Sequence, residues 1–148
     1  MDKLYVTDTN SVIFYFSHVF EQPSKLSAKA RQLFEHALNN SPSEIKLSIP
    51  SVVFVEIFDK WLINEEFAAK FHYEVFSAIV QSPNIEIKPI EREVLENLLK
   101  IGGSLSEHDI HDKLILASAM MLNCPLITTD SKIIESVNKY HVIPSIVN

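Results

Sequence analysis

Leu4-Tyr5-Val6-Thr7-Asp8-Thr9-Asn10 is the stretch on which the reading of this chain turns. Leu4 to Thr7 is a short apolar run that ends at a carboxylate, the pattern of a buried strand. From Ser11 to about Phe20, Val12, Ile13, Tyr15, Phe16 and Phe20 recur at helical spacing. An acid where a buried strand hands over to a helix sits at the rim of a sheet, and Asp is a preferred residue for capping the helix that follows. The same order returns near the other end, where a strand over Pro125 to Thr128 precedes Asp130 and a helix over Ser131 to Tyr140.

The segments between repeat the alternation. Leu26, Ala30, Leu33, Phe34, Ala37 and Leu38 predict a helix capped by Ser24 or Ser27 and stopped by Asn39-Asn40-Ser41-Pro42. Lys46 to Ile49 reads as a strand. A helix from Ser51 through Leu62 and another from about Glu65 to Gln81 form an aromatic-rich hairpin. Ile85 to Ile90 predicts a strand, and Glu91 to Ile101 a helix with Gly102-Gly103 as its exit. Ser104 to His108 reads as a polar loop, Ile110 to Leu122 as a strongly apolar helix, and Val142 to Val147 as a last strand. Strands alternating with helices imply an α/β fold, a three-layer sandwich around a central, mostly parallel sheet. Ligands of such sheets bind outside the carboxyl ends of the strands.

Composition narrows the function. With 148 residues, 47% of them hydrophobic, the chain is expected to form a single domain over residues 1–148. Its net charge of -6, from 13 basic and 19 acidic residues, argues against a broad electrostatic grip on nucleic acid. The lone Cys124 forms no internal disulfide and no cysteine zinc site, which fits a reducing cytoplasm, and reads as a small buried apolar residue. No signal peptide and no membrane span are expected, because charges interrupt every apolar run. Two glycines, both at 102–103, exclude a phosphate-cradling P-loop and a dinucleotide fingerprint.

Four acids share the predicted rim: Asp8, Glu56 in the second turn of its helix, Asp112 in the first turn of its helix, and Asp130. Taken singly, Asp8 and Asp130 read as helix caps, Asp112 as an acid complementing a helix dipole, and Glu56 as a helix-face charge. Taken together they repel unless cations lie between them. Carboxylate oxygens suit Mg²⁺ or Mn²⁺, and such sites favour phosphodiester hydrolysis, through one ion or two.

Tyr5-Val6-Thr7-Asp8-Thr9-Asn10, Pro50-Ser51-Val52-Val53-Phe54-Val55-Glu56, Asp109-Ile110-His111-Asp112-Lys113 with Ala117 and Ala119, and Pro125-Leu126-Ile127-Thr128-Thr129-Asp130 resemble the motifs of PIN-domain ribonucleases, in order and over nearly the whole chain. The resemblance implies a PIN-like fold and a Mg²⁺- or Mn²⁺-dependent endoribonuclease. It further implies the toxin of a prokaryotic toxin–antitoxin pair of the virulence-associated protein C type. Carried over, it makes Asp8, Glu56, Asp112 and Asp130 the metal-binding and catalytic acids, with Asn10 and Thr128 as polar supports. Asp109, three residues before Asp112, is expected to share its helix face and to support the metal ligands rather than join them. Where many relatives carry an apolar ring or Pro, this chain has Ile110-His111.

His108 and His111 flank Asp109, and a surface or loop role is expected for both rather than a mixed His–Asp metal site. Lys60, Lys113 and Lys132 are the cations nearest the rim. The expected function is therefore RNA phosphodiester hydrolysis, with an antitoxin protein as partner. A homodimer should form through the aromatic hairpin. The rival is a catalytically silent PIN-like binding or scaffold protein. A receiver-like phosphate regulator lacks a suitably placed Lys, and a Ser-His-Asp triad lacks a nucleophile elbow.

Overall fold

The computed structural model of the chain describes residues 1–101 and 108–148, so the expected Gly102-Gly103 exit and the loop up to residue 107 lie outside the described residues. Its elements are β1 (Lys3–Thr7), α1 (Thr9–Tyr15), α2 (Ser17–Phe20), α3 (Ala28–Ala37), β2 (Ile45–Pro50), α4 (Ser51–Trp61) and α5 (Glu65–Phe71). A π-helical turn over His72–Phe76 joins α5 to α6 (Ser77–Gln81). There follow β3 (Ile85–Lys88), α7 (Arg92–Ile101), α8 (Ile110–Leu122), β4 (Leu126–Ile127), α9 (Ser131–Tyr140) and β5 (Ile146–Val147).

The five strands form one sheet in the order β3-β2-β1-β4-β5, and every pairing is parallel. β1 is central. It pairs Val6 with Ser48 on one side and with Leu126 on the other. From β1 the chain steps outward to β2 and β3, then returns to build β4 and β5 on the opposite side. The order therefore reverses between β1 and β4, a switch point that opens a crevice at the carboxyl ends of those two strands. Asp8 and Asp130 follow them directly.

Flanking helices close the core. α8 buries six consecutive residues, Leu114 to Ala119, as a helix apolar all round must, and packs on β1, β2, α4 and α7. Two predicted helices are interrupted. The helix expected over Ser11 to Phe20 breaks at Phe16 (φ -93°, ψ 38°), where Tyr15 stacks on Phe34 while Phe16, Val19 and Phe20 are buried. The helix expected over Glu65 to Gln81 carries the π turn. Its apolar stripe Phe67, Phe71, Val75, Ile79 repeats every four residues, which slips about 40° per step on a 3.6-residue helix, and the wider turn restores the alignment. The last strand contracts to Ile146–Val147. No helix among the described residues is long and apolar enough to cross a membrane.

Candidate metal centre

Asp8 caps α1 with one oxygen. Its Oδ1 accepts from the Ser11 amide at 2.8 Å, and its Oδ2 accepts from the Thr128 hydroxyl at 2.5 Å. The carboxylate is 3% exposed, and the Asp8 amide is itself tied to the Ile127 carbonyl. Burial raises the Asp8 pKa; the Thr128 and Ser11 hydrogen bonds lower it, and nearby Asp130 raises it again. The Thr128 hydroxyl also accepts from the Asp130 amide at 3.1 Å, so one buried threonine sets both acids relative to each other. Asp130 caps α9 through Oδ1, which accepts from the amides of Lys132 and Ile133.

The other flank comes from α4 and α8. Glu56, 7% exposed, faces the rim, where its Oε2 accepts from Lys60 Nζ at 2.7 Å, one helical turn on. Asp109 caps α8, accepting from the Asp112 amide at 2.9 Å, so it stands ahead of the helix rather than on a shared face with Asp112. This corrects the expectation from spacing: a residue at the cap has extended backbone, and helical periodicity does not begin until the residue after it. His111, half-buried in the first turn of α8, brings Nδ1 to 3.7 Å from Glu56 Oε2 and 3.9 Å from Asp109 Oδ1.

Glu56, Asp109 and His111 thus offer three ligand atoms all within 4.8 Å of one another. Asp112 lies outside that triple yet close to every acid of the rim. Burial first, then Asp109, Asp130, Glu56 and Asp8, push its pKa up to about 7. Five carboxylates from four stretches of the sequence converge on one rim, joined by one imidazole. Oxygen donors with a single nitrogen fit a divalent cation such as Mg²⁺ or Mn²⁺, and the imidazole adds affinity for nitrogen-accepting metals.

The expected surface or loop role does not hold for His111, which lies on α8, while His108 lies outside any helix or strand, ahead of α8. His111 stands inside the acidic group, and His108 is buried with Nε2 2.8 Å from Ser136 Oγ on α9. The signal for His111 lay in the run Asp109-Ile110-His111-Asp112, because a cap at Asp109 turns the third residue of that run toward α4. Thr128 is hydrogen-bonded to both Asp8 and Asp130. Asn10 is exposed and its side chain makes no hydrogen bond to an acid among the described residues; it lines an adjoining hollow that Asp130 shares. Of the three lysines, Lys60 bonds an acid through its amine, while Lys113 and Lys132 contribute backbone amides to the caps.

Residues 5–139 match the family model of the PIN domain. The chain belongs to the PIN domain family. Among solved structures it is similar to FitAcB from Neisseria gonorrhoeae, at 14% identity with a TM-score of 0.65, covering 97% of this chain and 96% of that one. It is also similar to VapBC2 from Rickettsia felis bound to a DNA fragment from their promoter, at 16% identity and TM-score 0.62, with 96% of each chain covered. A toxin–antitoxin complex from Klebsiella pneumoniae matches at 19% identity and TM-score 0.59, with 95% of each covered. At these identities the likeness is one of fold. Curated protein sequences give no match.

Proposed function

We propose that this PIN domain is a Mg²⁺- or Mn²⁺-dependent endoribonuclease, the toxin of a toxin–antitoxin pair, with Asp8, Glu56, Asp112 and Asp130 as its metal-holding acids. One observation carries the reading: Asp8, Glu56 and Asp130, brought from distant parts of the chain, lie near enough to Asp109 and Asp112 that, after burial, all four raise the Asp112 carboxyl, to about 7. A fold that gathers like charge at a switch-point crevice needs a cation to offset it. Asp8 and Asp130, set by Thr128, would hold the ion from the sheet side, and Glu56, Asp112 and Asp109 or His111 from the helix side. When bound, the ion supplies an activated water and charge neutralisation at a phosphodiester. The chain's own part is to fix those carboxylates and, through Lys60, to offer a cation to phosphate once Glu56 is taken.

The partner reading rests on a face beside the site. Val55, Phe58, Leu62 and Ile63 of α4 and its exit, with Tyr73 of the π turn, are exposed large apolar side chains. We assign this face to an antitoxin helix or a second subunit, since such patches mark interaction sites. The three fold neighbours, two of them toxin–antitoxin or promoter-bound complexes by name, support a partner of that kind.

The Lys60–Glu56 ion pair favours the silent scaffold as a second reading, because an internal ammonium already neutralises one acid. Calorimetric titration with Mn²⁺ beside cleavage of single-stranded RNA separates the two. A nuclease binds the ion, cuts, and stops in EDTA. Absence of Mn²⁺ binding, or undiminished cutting in EDTA, sinks the metal mechanism.

A further inference from the structure

Among the described residues, eight of the nine phenylalanines pair with another aromatic ring, and the exception is Phe14. It is half-buried on α1, six residues after Asp8, and lies outside the set of apolar side chains packed on the core. What faces its ring is Lys25, with Nζ 5.9 Å from the centroid. Both line a hollow of about 580 Å³ that also includes Asn10, Ser27 and Asp130. This hollow adjoins the acidic rim on the side away from Glu56, at the carboxyl ends of β4 and β5.

We propose that this hollow is a nucleobase subsite, in which Phe14 stacks a base of single-stranded RNA next to the scissile position and Lys25 meets the neighbouring phosphate. The inference rests on the ribonuclease reading and names how that site holds its strand. A half-buried ring lining a hollow, beside a cation and an amide, has the makings of single-strand recognition: a stacking platform, a phosphate contact and a polar edge reader in Asn10. The exposed Lys25 reaches over the ring, so a base that displaces its ammonium takes up this π face and leaves the cation beside it for a phosphate. Its segment is held from both ends. The Arg31 guanidinium donates to Ser24 Oγ at 2.9 Å, while Ser27 caps α3 and its amide donates to the Asn148 carbonyl at 3.1 Å. The backbone that carries Lys25 is therefore set before the strand arrives, which keeps the ordering cost of binding small. An acidic protein that grips RNA at a few points needs such a contact, because phosphate attraction along the strand is weak here.

The test measures binding without cleavage, in an Asp112→Asn background with Mn²⁺, by anisotropy of a labelled single-stranded RNA and by fluorescence of 2-aminopurine placed in turn at each position. One position should be quenched on binding. Phe14→Leu, which keeps apolar volume but has no ring, should abolish that quench and weaken binding about fivefold to a hundredfold, while Phe14→Trp preserves both. Lys25→Ala should flatten the slope of log affinity against log salt by about 0.7. Parent-like affinity and quench in Phe14→Leu, with its melting temperature unchanged, would overturn the subsite. Cleavage and Mn²⁺ binding that persist without any Phe14-dependent quench remove the subsite alone. A Phe14-dependent quench, when the parent protein with Asp112 intact neither binds Mn²⁺ nor cuts, removes the nuclease reading alone.

Discussion

Asp8 and Glu56 are buried carboxylates on the same rim, yet Asp8 is held by neutral donors, the Ser11 amide and the Thr128 hydroxyl, whereas Glu56 is held by the Lys60 ammonium. Neutral donors fix a carboxylate without cancelling its charge. A cation cancels the charge and leaves the position dependent on a long, half-exposed side chain. The sheet side of the centre is therefore built by the fold itself, and the helix side is balanced by an exchangeable counter-charge.

The largest expected effect separates these two flanks directly. Asp8→Ala removes the cap of α1 and leaves the buried Thr128 hydroxyl without its acceptor, which should cost about 2–3 kcal/mol. Glu56→Ala frees Lys60 into solvent and should cost about 1 kcal/mol. Denaturant melts in EDTA measure both, and both variants should be inactive. Equal costs would show that the flanks do not differ in the way described.

Asp112→Asn comes next, with the opposite sign. The folded Asp112 pKa of about 7 stands above its ordinary value, so in the metal-free protein this group opposes folding progressively as pH rises from about 4 to 7. Below that window the strain is absent; above it the effect is full and constant. Solvent screening of the half-buried carboxyl reduces it to about 1–2 kcal/mol. The Asn variant should be more stable than the parent by that amount at neutral pH, no different near pH 4, inactive, and much less stabilised by Mn²⁺. An active variant, or one destabilised at pH 7 with an unchanged Mn²⁺ shift, would leave Asp112 as a helix-start acid only.

The sequence alone carried most of the sheet side. Leu4 to Thr7 reads as a strand because a central parallel strand is apolar on both faces, and Asp8 and Asp130 read as caps because Asp accepts from the orphan amides of a first turn. The cap and ligand readings of Asp130 are compatible, since capping uses Oδ1 alone. Ile110–Leu122 and Ser131–Tyr140 match their expected bounds, each being preceded by such a cap. The helix side was less legible. Where His111 points depends on the phase at which α8 begins, and a shift of one residue turns a side chain by about 100°. Whether Glu56 is buried depends on α8 packing against α4, a contact between segments far apart in the chain that local pattern does not encode. The π turn escaped because a four-residue apolar repeat looks helical until its drift is summed.

The smallest predicted effect tests whether Lys60 is the exchangeable cation of the helix side. Its ammonium is stabilised first by the hydrogen bond to Glu56 and further by the charges of Asp109 and Asp112, so its pKa is raised and it is charged at any pH where the protein would work. A raised lysine pKa contributes stability at neutral pH and loses it only as pH rises through the folded value. Lys60→Met should therefore destabilise the metal-free protein slightly, by under about 1 kcal/mol for a pair exposed at one end. The same substitution removes a positive charge from the place where a divalent ion would meet Glu56. Mn²⁺ should then bind about fivefold more tightly, equivalent to roughly 1 kcal/mol, while RNA binding weakens if Lys60 moves to phosphate. Calorimetric titration of Mn²⁺ into both proteins decides it. Unchanged Mn²⁺ affinity would place Lys60 outside the centre, and Glu56 would then be a structural acid balanced for stability rather than a ligand waiting for its ion.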